Sequence, residues 1–124
     1  MRFLNAFCSI STNLLEASYL FYKEKLGLHV DKVEDKFLHI YLSADCFFVM
    51  FLKEDHRASN ATALNFQVDH ILKTVSNLSE KGVRFLQYGP PFQTDKLGIS
   101  WDDEGSHLAW FKDPGGNIIA LIEN

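Results

Sequence analysis

No basic block, no long apolar run and hardly any cysteine mark this chain. Twelve basic and 16 acidic residues give a net charge of −4. Lysine and arginine never cluster, which argues against a nucleic-acid partner. No apolar stretch approaches the roughly 20 residues that cross a bilayer. Nothing after Met1-Arg2 reads as a leader, and the two cysteines are Cys8 and Cys46. Two reduced, buried thiols in a soluble cytoplasmic protein are the expectation. Aromatic residues, by contrast, are plentiful: 11 Phe, 4 Tyr and 2 Trp among 124 residues. A chain of this length forms one domain that buries roughly two-thirds of its unfolded surface. Its rings either overfill a core or line a ligand cavity, and composition leaves both open.

Arg2–Ile10 alternates as a strand, with Phe3, Asn5, Phe7 and Ser9 on one face. Asn13 and Glu16 read as a helix cap with its reciprocal partner, with Ser11 or Thr12 as alternatives. The helix gathers Leu14, Leu15, Ser18, Phe21, Tyr22 and Leu26 on one side and stops at Gly27. Leu28–Val33, Phe37–Leu42 and Cys46–Leu52 follow as strands, the last apolar on both faces and therefore covered on both. Residues 54–61 read as a linker between a module over 1–53 and another over 62–124. In the second, Leu64, Phe66 and Val68 alternate with Asn65, Gln67 and Asp69. Asp69 is placed to cap a helix carrying Ile71, Leu72, Val75 and Leu78, which Gly82 ends. Val83–Tyr88 reads as a strand. Residues 92–106, with Trp101 and Asp102-Asp103-Glu104, suit either a lid over a cavity or a plain surface excursion. Leu108–Phe111 and Ile118–Ile122 flank the turn Asp113-Pro114-Gly115-Gly116 as a hairpin.

Both halves thus run strand, helix, three strands. The final hairpins align by setting Leu38 against Leu108 and Met50 against Ala120, and the opening strands by setting Ile10 against Val68 and Asn5 against Ala63. A duplicated βαβββ unit predicts an α+β fold whose two curved mixed sheets make an open half-barrel around a cavity. The segment from Asp113 to Glu123, with Phe21-Tyr22 and Leu26-Gly27 in the first helix, resembles the glyoxalase/bleomycin-resistance/dioxygenase (vicinal oxygen chelate) family over nearly the whole chain. That resemblance implies four inward positions, which hold metal ligands in metal-using members. Here they map to Asn5, Met50, Ala63 and Ala120. Such residues do not replace the hydration of a divalent ion, so no metal and no cofactor are expected.

The replacements point instead to an apolar wall. Strand parity adds Phe48, the family analogy adds Leu108 and Trp110, and Phe7 and Trp101 complete the expected surroundings of a ligand. Asn5, Asn65 and Gln67 are its polar anchors, since unpaired amides are costly in a dry core. The resemblance also implies a homodimer. Three readings follow: a metal-free binder of an aromatic or amphipathic molecule, a closed core without a guest, or an enzyme of the same fold. The enzyme would be a lyase, isomerase or dioxygenase with an atypical metal site, or one using His39 or His107 for acid–base work.

Overall fold

The structure, a computed structural model, describes residues 1–102 and 104–124. Asp103, within the acidic step read from the sequence, lies outside the described residues. The chain forms two compact units, Met1–Arg57 and Ala58–Asn124. In the first, β1 (Ser9–Thr12), α1 (Leu15–Leu20), β2 (His29–Val33), β3 (Phe37–Ser43) and β4 (Cys46–Leu52) build a mixed sheet in the order β1-β4-β3-β2. In the second, β5 (Thr62–Gln67), α2 (Ile71–Glu80), β6 (Ile99–Trp101), β7 (His107–Lys112) and β8 (Ile118–Glu123) repeat that topology as β5-β8-β7-β6. In each sheet the first strand runs parallel to the last and the other pairs are antiparallel.

The first strand is shorter than its alternation suggests. Only Ser9–Thr12 pairs with β4, and residues 1–8 are exposed and form no strand. Cys8 closes the ladder by accepting the N–H of Val49 through its carbonyl at 3.0 Å. The N-cap of α1 is Leu14 without a side-chain cap, so neither Asn13 nor its alternatives cap the helix, and Thr12 only fixes the turn before it. Its hydroxyl accepts the N–H of Leu14 at 3.1 Å and stands 3.2 Å from that of Ser18, which donates to the Leu14 carbonyl at 2.7 Å. Leu15, Ser18 and Tyr22 are buried, and the helix widens into a π-helical turn over Phe21–Lys25 before Gly27 adopts φ 70°. That left-handed stop lets Leu28 N–H reach the Tyr22 carbonyl at 3.0 Å.

Tyr22 meets Phe48 edge-to-face at 5.8 Å, so even-numbered β4 residues face the helix. Phe48 and Met50 are therefore core residues on the helix side, opposite Ile40 and Leu38, rather than parts of an open wall. The expected pairing of Met50 with Ala120 is one residue out of register. Apolar residues on both faces of β4 hide the parity on which such an alignment depends.

In the second unit, Asp69 does not cap α2. The N-cap is His70 without a side-chain cap, and Glu123 on β8 accepts the N–H of Ile71 at 2.7 Å. The helix covers a core of Phe66, Ile99, Ala109, Phe111, Ile119 and Leu121, all buried. The fourth strand is not Val83–Tyr88 but β6, and two short segments share the free edge of β7. Phe85 bridges Phe111, while Ile99–Trp101 pairs with residues 107–109. The residues between them make a loop whose two ends meet at Thr94, as its hydroxyl accepts the Tyr88 N–H at 2.8 Å. The turn Asp113–Asn117 forms as its residues dictate. Asp113 Oδ1 accepts the N–H groups of Gly115 and Asn117, each at 3.0 Å.

Candidate functional site

The face of the second sheet turned away from α2 is a grid of three rows set by strand register. Thr62, Ile118 and Lys112 form the row nearest the Asp113 turn. Asn65, Ala120 and Trp110 form the middle row, and Gln67, Ile122, Leu108 and Ser100 the third. A β-bulge between Thr62 and Leu64 takes Ala63 out of the ladder, so Asn65, not Ala63, stands beside Ala120. Over the middle of this grid lies a groove of about 430 Å³. Asn65, Leu108, Trp110 and Ala120 line it together with Asn60, Thr62, Tyr88 and Phe92.

Trp110 is its floor, only 9% exposed. Tyr88 stands edge-on to it with ring centroids 5.2 Å apart and planes at 84°, and Phe92 at 6.2 Å and 65°. These two rings come from the loop closed by Thr94. The sequence signal that would have found them is the aromatic pair around Gly89-Pro90-Pro91, which turns both side chains back over one tryptophan. Ring edges against a ring face are the favoured aromatic geometry, so the wall is preorganised for a further ring. The Asn65 amide makes no protein hydrogen bond among the described residues and can both donate to and accept from a guest.

The remaining expected residues lie elsewhere. Asn5 is exposed and its side-chain oxygen accepts the N–H of Ala6 at 2.8 Å, a local turn in place of a strand position. Phe7 stacks on Phe47 at 5.1 Å on the open face of the first sheet. His39 shares that face, 6.2 Å from Phe47 and 6.5 Å from Tyr41 between ring centroids. A second cavity of about 460 Å³ there is lined by His29, Asp31, Tyr41, Leu42, Ser43 and Ala44. Its His29 Nε2 lies 3.0 Å from Asp31 Oδ1, a pair that sequence spacing alone did not single out. Gln67 shares the groove face but is not part of the lining.

His107 and Trp101 belong to the helix side. They face each other across β6 and β7 with ring centroids 4.2 Å apart. His107 Nδ1 is 3.3 Å from Glu123 Oε2, whose other oxygen holds the start of α2. It thus contacts the carboxylate at the start of the helix and lies on the face opposite the groove. The Trp101 indole N–H donates to Asp95 Oδ2 at 3.0 Å, pinning the turn before β6.

Two carboxylates on that side are shifted. The Ile71 N–H, then the His107 side chain and the charges of His107 and His70, hold Glu123 below its usual value against some desolvation. Burial alone would raise Asp95, but hydrogen bonds from Trp101, Ile99, Leu97 and Gly98 outweigh it and lower the carboxyl. A carboxylate depressed by folding adds stability that is fully present above the unfolded value of about 4 and is lost as pH falls through the folded one. Acid unfolding curves should therefore flatten below about pH 4 in Glu123→Gln and Asp95→Asn. An acid limb unchanged in both variants would exclude these contacts as its source.

Metal-using relatives need imidazole and carboxylate donors, and the residues here do not fit that group. The groove lining contains neither, and Val49 and Phe51, the open-face neighbours of Met50, offer none either. Among the described residues no cluster of three or more His, Cys, Asp or Glu is arranged to hold an ion.

Two βαβββ units with identical strand order define the vicinal oxygen chelate fold, and comparison with known proteins agrees. The chain belongs to the Glyoxalase/Bleomycin resistance protein/Dioxygenase superfamily, whose profile matches residues 6–121. Among solved structures it is similar to a glyoxalase/bleomycin resistance protein from Catenulispora acidiphila, with a TM-score of 0.73, 19% identity and 98% of each chain covered. It is also similar to a lactoylglutathione lyase from Agrobacterium tumefaciens, with a TM-score of 0.71, 16% identity and coverage of 98% of this chain and 95% of that one. A glyoxalase family protein from Enterococcus faecalis gives 0.70 at 24% identity, with 94% of each chain covered. At these identities the likeness is one of fold. No match was found among curated proteins.

Proposed function

We propose that this chain is a metal-free small-molecule binder of its family, which takes an aromatic or amphipathic guest into the groove above Trp110. The observation that carries this reading is the meeting of Trp110, Tyr88 and Phe92 around a groove with an unpaired amide, Asn65, at its side. Burying a ring of about 100 Å² there contributes roughly 2.5 kcal/mol, and the amide sets orientation. The reading also describes a cytoplasmic homodimer with reduced Cys8 and Cys46. Both thiols are free but exposed, not buried as expected, because Cys8 precedes β1 and Cys46 opens β4; the highly exposed Phe3 and Leu4 support a partner surface.

Titration with 2-naphthamide, followed by calorimetry, tests the groove. Binding should weaken at least about tenfold in Trp110→Ala, the loss expected for one good aromatic contact. Equal affinity in both proteins would remove the groove from the account. The second reading, acid–base catalysis on the same fold, is favoured by the His29–Asp31 pair beside Tyr41. It requires Asp31→Asn to slow a turnover that leaves groove binding untouched.

A further inference from the structure

Beside the aromatic groove the same sheet face carries two cations. Phe85 bridges Phe111, and Leu86 N–H donates to the Trp110 carbonyl at 2.8 Å. That register sets Arg84 directly opposite Lys112. Phe85 packs edge-to-face on Phe111 on the helix side, so alternation turns Arg84 and Lys112 toward the groove face. They extend the row of Thr62 and Ile118, one step along β7 from Trp110. Both are exposed, neither is part of the groove lining, and neither forms an ion pair among the described residues. The nearest carboxylate in sequence, Asp113, is committed to its own turn.

Like charges directly opposite on neighbouring strands repel, and among the described residues no acidic side chain pairs with either. A chain of net charge −4 that sets two unpaired cations side by side, next to an aromatic floor, has the arrangement that an anion would stabilise. In the same row Thr62, with Asn60 just before it in the chain, adds polar groups at this end of the groove, while Leu108, in the third row, makes the other end apolar. From this polarity we infer that the guest is an amphipathic anion. Its ring lies over Trp110, and its carboxylate or similar group points to Arg84 and Lys112. The inference rests on the groove reading above and specifies its ligand class.

The test compares 2-naphthoate with 2-naphthamide, two probes of one ring that differ in charge, in the wild-type chain and in the double variant Arg84→Gln/Lys112→Gln. The carboxylate should bind about tenfold more tightly than the amide at low salt, and salt should erode that preference, as expected for two exposed charge-assisted contacts. In the double variant the preference should vanish while affinity for the amide stays unchanged, which also shows that the variant is folded. A carboxylate that binds no better than the amide overturns the inference and leaves the groove reading standing, as does a preference that survives in the double variant. Failure of both probes to bind wild type overturns the groove reading and this inference together.

Discussion

Phe111→Ala is expected to destabilise the second unit by about 3–5 kcal/mol, the range for removing a large buried aromatic side chain. Phe111 is fully buried near the end of β7, between Ile119 on β8 and Phe85 on the edge segment. Its ring packs edge-to-face on Phe85 at 5.7 Å. Truncation empties the space under α2 and also loosens the segment that holds Leu86 against Trp110. Urea unfolding should show a lower midpoint with an unchanged slope. A stability loss below about 1 kcal/mol would mean that the core is not organised around this ring.

Gly98→Ala should cost roughly 2–4 kcal/mol, although it adds a single methyl group. Gly98 sits at φ +90°, where an L side chain is strained, and an added Cβ would lie 2.6 Å from Phe85 Cβ and 3.3 Å from the Leu86 carbonyl oxygen. Neither neighbour can yield, because Phe85 is held on Phe111 and the Leu86 backbone is paired to Trp110. The Asp95 carboxylate fixes the same turn by accepting the N–H groups of Leu97 and Ile99, each at 2.9 Å. The substitution should therefore displace β6 and, with it, the loop carrying Tyr88 and Phe92. Thermal unfolding reads the loss. A variant as stable as wild type would show that the turn is free to relax.

Local chemistry with one solution was legible in the sequence. Gly27 and Gly82 stop their helices in left-handed conformations, and Asp113-Pro114-Gly115-Gly116 makes the final turn. The order of elements in both modules follows from such punctuation, while the family follows from the resemblance carried by Asp113–Glu123 and the first helix. What failed depends on partners that are distant in the chain. Arg2–Phe7 alternates like a strand, yet β4 offers a parallel partner only from Val49 onward. In β4 six consecutive apolar residues from Phe47 to Leu52 leave parity undetermined, so the sequence alone does not show that Phe48 and Met50 face the helix. At Ala63 a bulge invisible to alternation moves the groove position two residues on, to Asn65.

The candidate site was half legible for the same reason. Asn65, Leu108, Trp110 and Ala120 are brought together by the register of β5, β8 and β7, in which only β5 alternates after its bulge and the Asp113 turn fixes the pairing of the other two. Tyr88 and Phe92 come from a loop whose course is set by hydrogen bonds between Thr94, Gln87 and Tyr88, which no periodicity encodes. His107 looked available as a lone imidazole on a strand. Its partner, Glu123, lies 16 residues away on the adjoining strand and ties it to the start of α2.

The central claim, that a guest rests on Trp110, is tested most directly by a pair of single-tryptophan proteins, Trp101→Phe and Trp110→Phe, titrated with 2-naphthamide. The protein retaining Trp110 should show a saturable change in emission, whereas the one retaining Trp101, on the helix side of its sheet, should stay constant. A saturable response from Trp101 alone, or from neither, would contradict the account.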